Sequence, residues 1–294
     1  MIPKIIHQTW KSSHLPEKFQ AYQKTWIMYH PQWEYRFYDD AACRALVQLE
    51  FPDWLALYDS CPYPVQRADI FRYLVIASNG GIYADIDMEC YKNMEPLLAG
   101  KECVFGVETI LSPRQTRLLN HQYAERIANC IFAAQKNHPV FNRIMNEVSQ
   151  RLAEKPAGIL ETTGPGMLTD VVQKYRKQYD VHILPQINWL PPISADYPNC
   201  FPFNLRMYAK HHFAGTWKNE NMEAPRLRRR LSGNRPLTLL KNIAKFFYLF
   251  FNIRGLYYKI LSSPVWKGNL YFRRKNTSQK KGNDAVERMP DHPI

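Results

Sequence analysis

The sequence predicts an α/β fold, because short apolar runs of strand length alternate with longer segments that carry helical periodicity. The first apolar run, residues 2–6, stands at the start of the chain, where a first buried strand is expected. A second run, residues 81–84, is apolar along its whole length and ends at two acidic residues. Both runs are therefore predicted to be strands of a buried sheet.

The elements between these runs follow from the same periodicities and from capping residues. Asp39 and Asp40 stand where a helix N-cap is expected, which explains this acidic pair better than a second acidic site does. Pro62 and Pro64 precede a predicted helix around Arg67. The other predicted helices cover residues 15–29, 41–50, 122–134 and 139–152, and the other predicted strands cover residues 33–38, 104–108 and 181–184.

Charge divides the chain into parts of different character. Residues 1–225 hold 23 basic and 23 acidic residues, whereas residues 226–294 hold 16 basic and 3 acidic residues, so the second part carries the whole net charge of +13. We therefore predict one large domain over residues 1–225. A basic, aromatic, helical segment is predicted over residues 226–275, and a disordered tail over residues 276–294.

The basic segment combines cations with a contiguous cluster of Phe side chains at residues 246–251. Its apolar stretch is too short, and too interrupted by Lys, to span a bilayer, which needs about 20 residues. A helix lying on an anionic membrane surface fits this composition. The alternatives are a helix packed on the large domain and a nucleic-acid-binding segment.

Two acidic residues, Asp85 and Asp87, end the apolar run at residues 81–84. On an extended strand alternate side chains share a face, so we expect both carboxylates to point into one pocket. Two carboxylates held together repel unless a cation lies between them, and a hard divalent ion such as Mn²⁺ or Mg²⁺ suits oxygen ligands. The ordinary alternative is a solvated strand end, because an Asp-x-Asp pair by itself is a weak signal.

A second pair, Asp69 and Arg72, precedes these acids at a helical spacing that also suits a surface ion pair. The segment from residue 67 to residue 87 resembles the Asp-x-Asp sugar-binding family of retaining glycosyltransferases. This family includes the yeast-type mannosyltransferases of glycosyltransferase family 32 and, more distantly, the glucosyltransferase domains of clostridial toxins. The resemblance implies a GT-A type, Rossmann-like nucleotide-sugar-binding domain with a mixed central sheet, in which Asp69 and Arg72 hold the donor sugar.

The start of the chain supports the resemblance, which covers roughly residues 1–220. Residues 2–10 resemble the family's opening Ile-Pro-Lys-Ile-Ile-His-Gln-x-Trp. In relatives an aromatic at the position of Trp10 stacks on the nucleotide base, although a core Trp beside a strand end is the alternative. Tyr83 is expected on the ribose or phosphate side of the donor.

Residues 208–218 resemble the family's closing His-His-x-Ala-Gly-Ser-Trp. The resemblance implies His212 as a third metal ligand, with His211 as the alternative. It implies Trp217 and Lys218 as contacts to the diphosphate, through an indole N–H and a point charge.

Two other positions follow from the same resemblance. Asn129 is expected to face the sugar. Residues 161–169 resemble the family's Thr-Gly-Pro loop, whose Thr163 or Gly164 would line the acceptor side, with a plain helix-entry loop as an equal alternative.

The resemblance implies a retaining glycosyltransferase, and the paired acids fit one that depends on a metal. Such an enzyme moves a hexose from a nucleotide diphosphate sugar, here GDP-mannose or a UDP-hexose, to a glycan or lipid-linked acceptor in surface polysaccharide or glycolipid synthesis. The metal neutralises charge on the leaving diphosphate. The alternatives are a non-catalytic carbohydrate- or nucleic-acid-binding protein and a glycoside hydrolase, which would use paired carboxylates without metal.

The first residues carry no signal-peptide pattern, and the six cysteines show neither Cys-x-x-Cys nor zinc spacing. Reduced thiols are the simplest interpretation. We expect a cytoplasmic protein that lies peripherally on the inner face of the membrane.

Overall fold

The computed structural model describes residues 1–118, 121–154, 158–191 and 203–216. The predicted basic segment, 226–275, and the tail, 276–294, lie outside these residues. The strands are β1 Ile5–Thr9, β2 Glu34–Tyr38, β3 Gly81–Ala84, β4 Met88–Cys90, β5 Cys103–Ile110, β6 Glu125–Ala134, β7 Val181–Leu184 and β8 Ala209–His211.

Six of these strands form one mixed sheet in the order β2-β1-β3-β6-β5-β7. Neighbouring strands are parallel except at β6, which is antiparallel to both β3 and β5. Strands β4 and β8 form a separate antiparallel pair. The predicted α/β class with a mixed central sheet is confirmed.

Helices cover both faces of the large sheet. They are α1 Glu17–Tyr29, α2 Asp40–Glu50, α3 Pro52–Ser60, α4 Pro64–Asn79, α5 Glu95–Leu98, α6 Pro113–Leu118, α7 Val140–Glu154, α8 Ile159–Thr162, α9 Pro165–Tyr175, α10 Gln186–Trp189 and α11 Phe203–Arg206. Among the described residues, none of these helices has the length and apolar character needed to cross a bilayer. Asp39 caps α2 as predicted, because its carboxylate accepts a hydrogen bond from the backbone N–H of Ala42.

One predicted element is wrong. Residues 122–134 were expected to be helical, but residues 125–134 form strand β6. The alanines at positions 128, 133 and 134 raise local helix propensity, yet the segment lies between β3 and β5 and pairs with both. Tertiary pairing therefore overrides propensity here. The other predicted elements are confirmed in kind, and their ends differ by only a few residues.

Helix α4 carries two charged residues, Asp69 and Arg72, in the interior of the fold. It packs on β3 and β6 and against α2 and α7. Its side chains are buried nearly all around, including the large aromatic rings of Phe71 and Tyr73. A helix buried on all sides can hold charged groups only if they are paired. Its buried charged residues, Asp69 and Arg72, must therefore have partners of opposite charge.

A glycine pair brings the start of β3 against β1. Gly80 and Gly81 have φ of +68° and +96°, a region that side chains rarely adopt. A Cβ on Gly81 would lie 2.5 Å from the carbonyl oxygen of Ile5. Next to this turn, Nε2 of buried His7 lies 2.9 Å from the carbonyl oxygen of Gly80, and Nδ1 lies 3.1 Å from the Tyr38 hydroxyl. These contacts fix where β3 begins and therefore where the acids that follow it emerge.

We predict that Gly81→Ala destabilises the fold more than Gly100→Ala does. Both glycines have positive φ, but a Cβ on Gly100 meets nothing within 4 Å, whereas one on Gly81 meets the β1 backbone. The difference in unfolding free energy should reach ~2 kcal/mol, the order expected for an overpacked backbone contact. Urea denaturation of both variants measures it, and equal losses would contradict the steric explanation.

We predict that protonation of buried His7 lowers the unfolding free energy of the protein as the pH falls. Burial lowers the pKa of His7 from 6.5 to about 4. The unfolded chain therefore binds this proton more tightly, so stability is lost as pH falls from 6.5 towards 4, by about 3 kcal/mol over the whole window. Urea denaturation across this range should show a shallower pH dependence for His7→Gln than for the parent protein. Parallel curves would exclude His7 as the titrating group.

Candidate functional site

The two acids of the Asp-x-Asp motif lie in a tight turn between β3 and β4. Asp85 follows the last residue of β3, and its carbonyl oxygen accepts a hydrogen bond from the backbone N–H of Met88 at 3.0 Å. The backbone N–H of Asp85 donates to the carbonyl oxygen of Cys130 in β6 at 2.8 Å. The expectation that both acids sit on an extended strand is wrong, and the turn itself brings their side chains together.

Asp87 is held by the last residue of β8 and by the segment that follows this strand. Its Oδ1 lies 3.1 Å from Nε2 of His211, and its Oδ2 accepts the backbone N–H of Ala214 at 2.8 Å. Its backbone carbonyl also accepts the N–H of His212 at 3.0 Å. Burial opposes ionisation of Asp87, but the hydrogen bonds and the charge of His211 outweigh it and lower the pKa of the carboxyl. Asp87 is therefore a carboxylate at neutral pH.

A three-residue cluster with metal-ligand chemistry results from this turn. Ligand atoms of Asp85, Asp87 and His211 all lie within 4.8 Å of one another. Two carboxylates and one imidazole form a donor set that Mn²⁺ or Mg²⁺ accepts. Among the described residues this is the group of acids, histidines and cysteines close enough to hold an ion.

The side chain of His212, which the sequence analysis favoured as the third metal ligand, does not point at the two carboxylates. Its Nε2 lies 2.8 Å from Oε2 of Glu89, and its ring stacks on Tyr22 with centroids 4.2 Å apart. The antiparallel register of β4 and β8 pairs Met88 with His211, and neighbouring residues there point to opposite sides. The structure therefore brings His211, and not His212, to the two carboxylates, and the identity of the third metal ligand stays a prediction.

Two side chains, those of Tyr83 and Arg72, hold the carboxylate of Asp85. Its Oδ1 accepts a hydrogen bond from the Tyr83 hydroxyl at 2.9 Å and lies 3.2 Å from Nη2 of Arg72. The Tyr83 hydroxyl is also 3.1 Å from Oγ1 of Thr9. Burial raises the pKa of Asp85, Arg72 opposes that rise, and Asp87 adds to it. Since Tyr83 is itself buried, it acts on the site by orienting Asp85.

Asp69 and Arg72 are buried together, at 2% and 5% exposure, so the alternative of a surface ion pair does not hold. Arg72 Nη1 lies 3.3 Å from Asp69 Oδ1 and donates to the carbonyl oxygen of Asn129 at 2.9 Å. The Asn129 amide donates to Asp69 Oδ1 at 3.0 Å, and Thr163 Oγ1 donates to Asp69 Oδ2 at 2.8 Å. Burial raises the pKa of Asp69 to about 6, against the effects of Arg72 and Thr163.

The structure thus brings Asp69, Asn129 and Thr163, three residues expected near the donor or acceptor, into direct contact. Trp10 lies where predicted, just beyond the carboxyl end of β1, and its ring is 4.9 Å from that of Phe19. Trp217 and Lys218 lie outside the described residues. The ligand contacts expected of all these residues stay predictions.

Sequence reasoning missed several residues that shape the site. Glu89 continues the acidic alternation after Asp85 and Asp87, a signal that was available in the sequence. Its Oε2 lies 2.8 Å from Nε2 of His212 and accepts a hydrogen bond from the Tyr91 hydroxyl at 2.9 Å. The Ala214 backbone N–H that binds Asp87 carries no side-chain signature, so no sequence pattern could have indicated it.

Comparison with known proteins gives a consistent class. Residues 16–104 match the family model described as glycosyltransferase sugar-binding region containing DXD motif. Inositol phosphoceramide mannosyltransferase 3 of Schizosaccharomyces pombe is 45% identical over 33% of this chain and 27% of its own length. The initiation-specific alpha-1,6-mannosyltransferase of the same organism is 30% identical over 74% of this chain and 64% of its own length.

Among solved structures, the PaToxG glycosyltransferase is 20% identical with a TM-score of 0.43, over 60% of this chain and 70% of that one. This likeness is distant. The chain spans about a quarter to two thirds of the length of the curated relatives named above.

The sequence matches identify a glycosyltransferase sugar-binding region containing a DXD motif at residues 16–104. The structure gives this region strands of the mixed sheet and the acidic turn. The family suspected from the motifs is thereby confirmed.

We predict that His211→Gln weakens Mn²⁺ binding by at least about tenfold, since losing a ligand should cost no less than losing an outer partner. His212→Gln is the matched control and should leave the affinity nearly unchanged, because its ring pairs with Glu89. Calorimetric titration of Mn²⁺ into both variants makes the comparison. The opposite ranking would restore His212 as the ligand.

Proposed function

We propose that this protein is a metal-dependent, retaining glycosyltransferase that moves a hexose from a nucleotide diphosphate sugar to a hydroxyl of a glycan or lipid-linked acceptor. The observation that carries the proposal is the convergence of Asp85, Asp87 and His211 within 4.8 Å inside a chain that has the DXD sugar-binding region.

The chemistry of the donor set is the fit test for a metal. Two carboxylate oxygens and one imidazole nitrogen suit Mn²⁺ or Mg²⁺ better than a soft ion, since no thiolate belongs to the cluster among the described residues. Asp85, Asp87 and His211 would hold the ion. When bound, it supplies the positive charge that stabilises the leaving diphosphate.

The remaining residues bind and orient the donor in this proposal. Asp69 and Arg72 form a rigid, buried pair below the acidic turn, and Arg72 carries its charge towards Asp85. Tyr83 keeps the Asp85 carboxylate in one orientation through its hydroxyl. Trp10, at the end of β1, offers a flat face to the nucleotide base.

Retention of configuration is proposed without a carboxylate nucleophile. Both oxygens of Asp69 already accept hydrogen bonds, from Asn129 and Thr163, which weakens its nucleophilicity. We infer that the acceptor hydroxyl attacks the anomeric carbon from the side of the leaving group, and that its proton passes to an oxygen of the departing phosphate. The anomeric carbon–oxygen bond to the diphosphate breaks in the same step.

The names of the relatives favour a mannosyl donor, GDP-mannose, over a UDP-hexose, and acceptors of the glycolipid or glycan class. We further propose that the protein works at the cytoplasmic face of a membrane, held there peripherally by residues 226–275. The support for this location is the excess of basic residues and the Phe cluster in that segment.

We predict that a nucleotide sugar raises the melting temperature of the protein only when Mn²⁺ is present. GDP-mannose, UDP-glucose and UDP-galactose, each with and without Mn²⁺, form the panel for a thermal-shift assay. A ligand at about 100 times its dissociation constant stabilises by about 2.7 kcal/mol, which such an assay resolves.

Asp87→Asn should remove the metal-dependent part of the shift. Asp59→Asn, which alters an exposed ion pair with Arg44, is the control and should retain it. If no nucleotide sugar shifts the parent protein in a metal-dependent way, the proposed function is wrong.

A further inference from the structure

A second charged cluster lies beside the metal-ligand cluster and has no part in the functions described so far. Arg126 of β6 is its centre. Nε of Arg126 is 2.9 Å from Oε2 of Glu108 in β5, and Nη1 is 3.8 Å from Oε1 of Glu161 in α8. Nη1 is also 3.2 Å from Nε2 of His121, which in turn lies 3.6 Å from Glu161.

The charges of this cluster do not cancel. Two carboxylates share the single guanidinium. When both are ionised, the carboxylates of Glu108 and Glu161 outnumber the one guanidinium of Arg126, so these three groups together are net negative.

The cluster lies on the strand whose backbone also holds the acidic turn. Arg126 stands four residues before Cys130 on β6, a distance of roughly 13 Å along a strand. The backbone of Cys130 holds Asp85. Burial raises the pKa of Glu108, whereas the charges of Arg126 and His211 oppose the rise.

The order of groups across the site follows from these contacts. Trp10 and α1 lie on one side of the acidic turn, and Tyr22 of α1 stacks on His212 there. Glu161 of the second cluster stands two residues before Thr163, whose hydroxyl donates to Asp69. A donor whose diphosphate lies at Asp85 and whose sugar is held at Asp69 would therefore have its sugar near Glu161.

A comparison within the same chain indicates that the cluster is not simply a closed structural ion pair. Arg151 also lies between two carboxylates, but it donates good hydrogen bonds to both, at 2.7 Å to Glu147 and 2.8 Å to Asp170. By contrast, Oε2 of Glu108 is buried and has no hydrogen bond of acceptable geometry within the described residues, despite its short distance to Arg126. The side chains of Glu108 and Glu161 keep 25% and 33% exposure.

We propose that Glu108 and Glu161, oriented by Arg126, form the acceptor subsite of this protein and bind the hydroxyl groups of a neutral polyol ring, either a sugar or a cyclitol. This assignment rests on the proposed glycosyltransferase function and specifies the acceptor side of the same site. Arg126 is the positioning residue, since both carboxylates lie against its guanidinium.

The chemistry of the cluster selects the ligand class. An ionised carboxylate has only acceptor sites, and the hydroxyls of a polyol are donors that can fill several of them at once. A phosphate at this point would meet two carboxylates and a guanidinium that is already shared between them. The net negative charge therefore favours a neutral ring over an anionic one.

Binding of methyl α-mannopyranoside and of myo-inositol to the full chain, in the presence of GDP and Mg²⁺, tests the proposal by saturation-transfer NMR. We expect at least one of these neutral polyols to bind. Glu108→Gln and Glu161→Gln should each weaken binding by about tenfold, the order expected when a hydrogen bond to a charged group is lost. Asp59→Asn, which alters an exposed ion pair with Arg44 and touches neither carboxylate of the cluster, is the control and should leave binding unchanged.

Several outcomes would overturn the proposal. These are failure of both polyols to bind the parent protein, unchanged binding in Glu161→Gln, and tighter binding of myo-inositol 1-phosphate than of myo-inositol. Because Glu161 is the more exposed carboxylate, its variant decides the test if Glu108→Gln does not fold. The Mn²⁺-dependent shift by nucleotide sugars is measured on the same variants. If polyols bind as expected while that shift is missing, the subsite stands and the proposed transferase function fails.

Discussion

The guanidinium of Arg72 lies between the carboxylates of Asp69 and Asp85 and joins helix α4 to the turn after β3, at distances of 3.3 and 3.2 Å. It also lies under the ring of Tyr83, 5.0 Å from the centroid, and donates to the carbonyl of Asn129. Removing one partner of such a buried set leaves a charge without compensation, at a cost of about 3–5 kcal/mol. The relative placement of α4, β3 and β6 at the site therefore depends on this one cation.

The surroundings of the site shift the pKa values of Asp85 and Asp87 in opposite directions. Asp85 faces the buried side, where desolvation raises its pKa, whereas Asp87 receives His211 and a backbone N–H that lower its own. Burial opposes protonation of His211, but its interactions with Cys130 and Asp87 raise its pKa. Three carboxylates, counting Asp69, thus face two cationic groups in this part of the site. An anionic diphosphate would be repelled by that balance, which is the physical reason to expect a divalent ion with it.

Local patterns in the sequence were sufficient for the parts of the site that depend on local chemistry. The Asp-x-Asp after an apolar run, the helical pair that precedes it and the cap of α2 could all be recognised within a few residues. The choice between His211 and His212 could not, because it depends on the register between β4 and β8. Strand β6 was mistaken for a helix for a related reason, since its conformation is set by strands on both sides. The Arg126 cluster joins three separate elements, and no spacing in the sequence indicates it.

The hydrogen bond between Asp87 and His211 spans 124 positions of the chain, and that between Asp69 and Thr163 spans 94. Contacts of such high sequence separation require long loops to close, so they form after local ones. During synthesis on the ribosome, the acidic turn would emerge well before the segment that neutralises Asp87. The nascent chain would expose Asp85 and Asp87 without His211 until strand β8 has been made, so the ligand cluster cannot form before that strand leaves the ribosome.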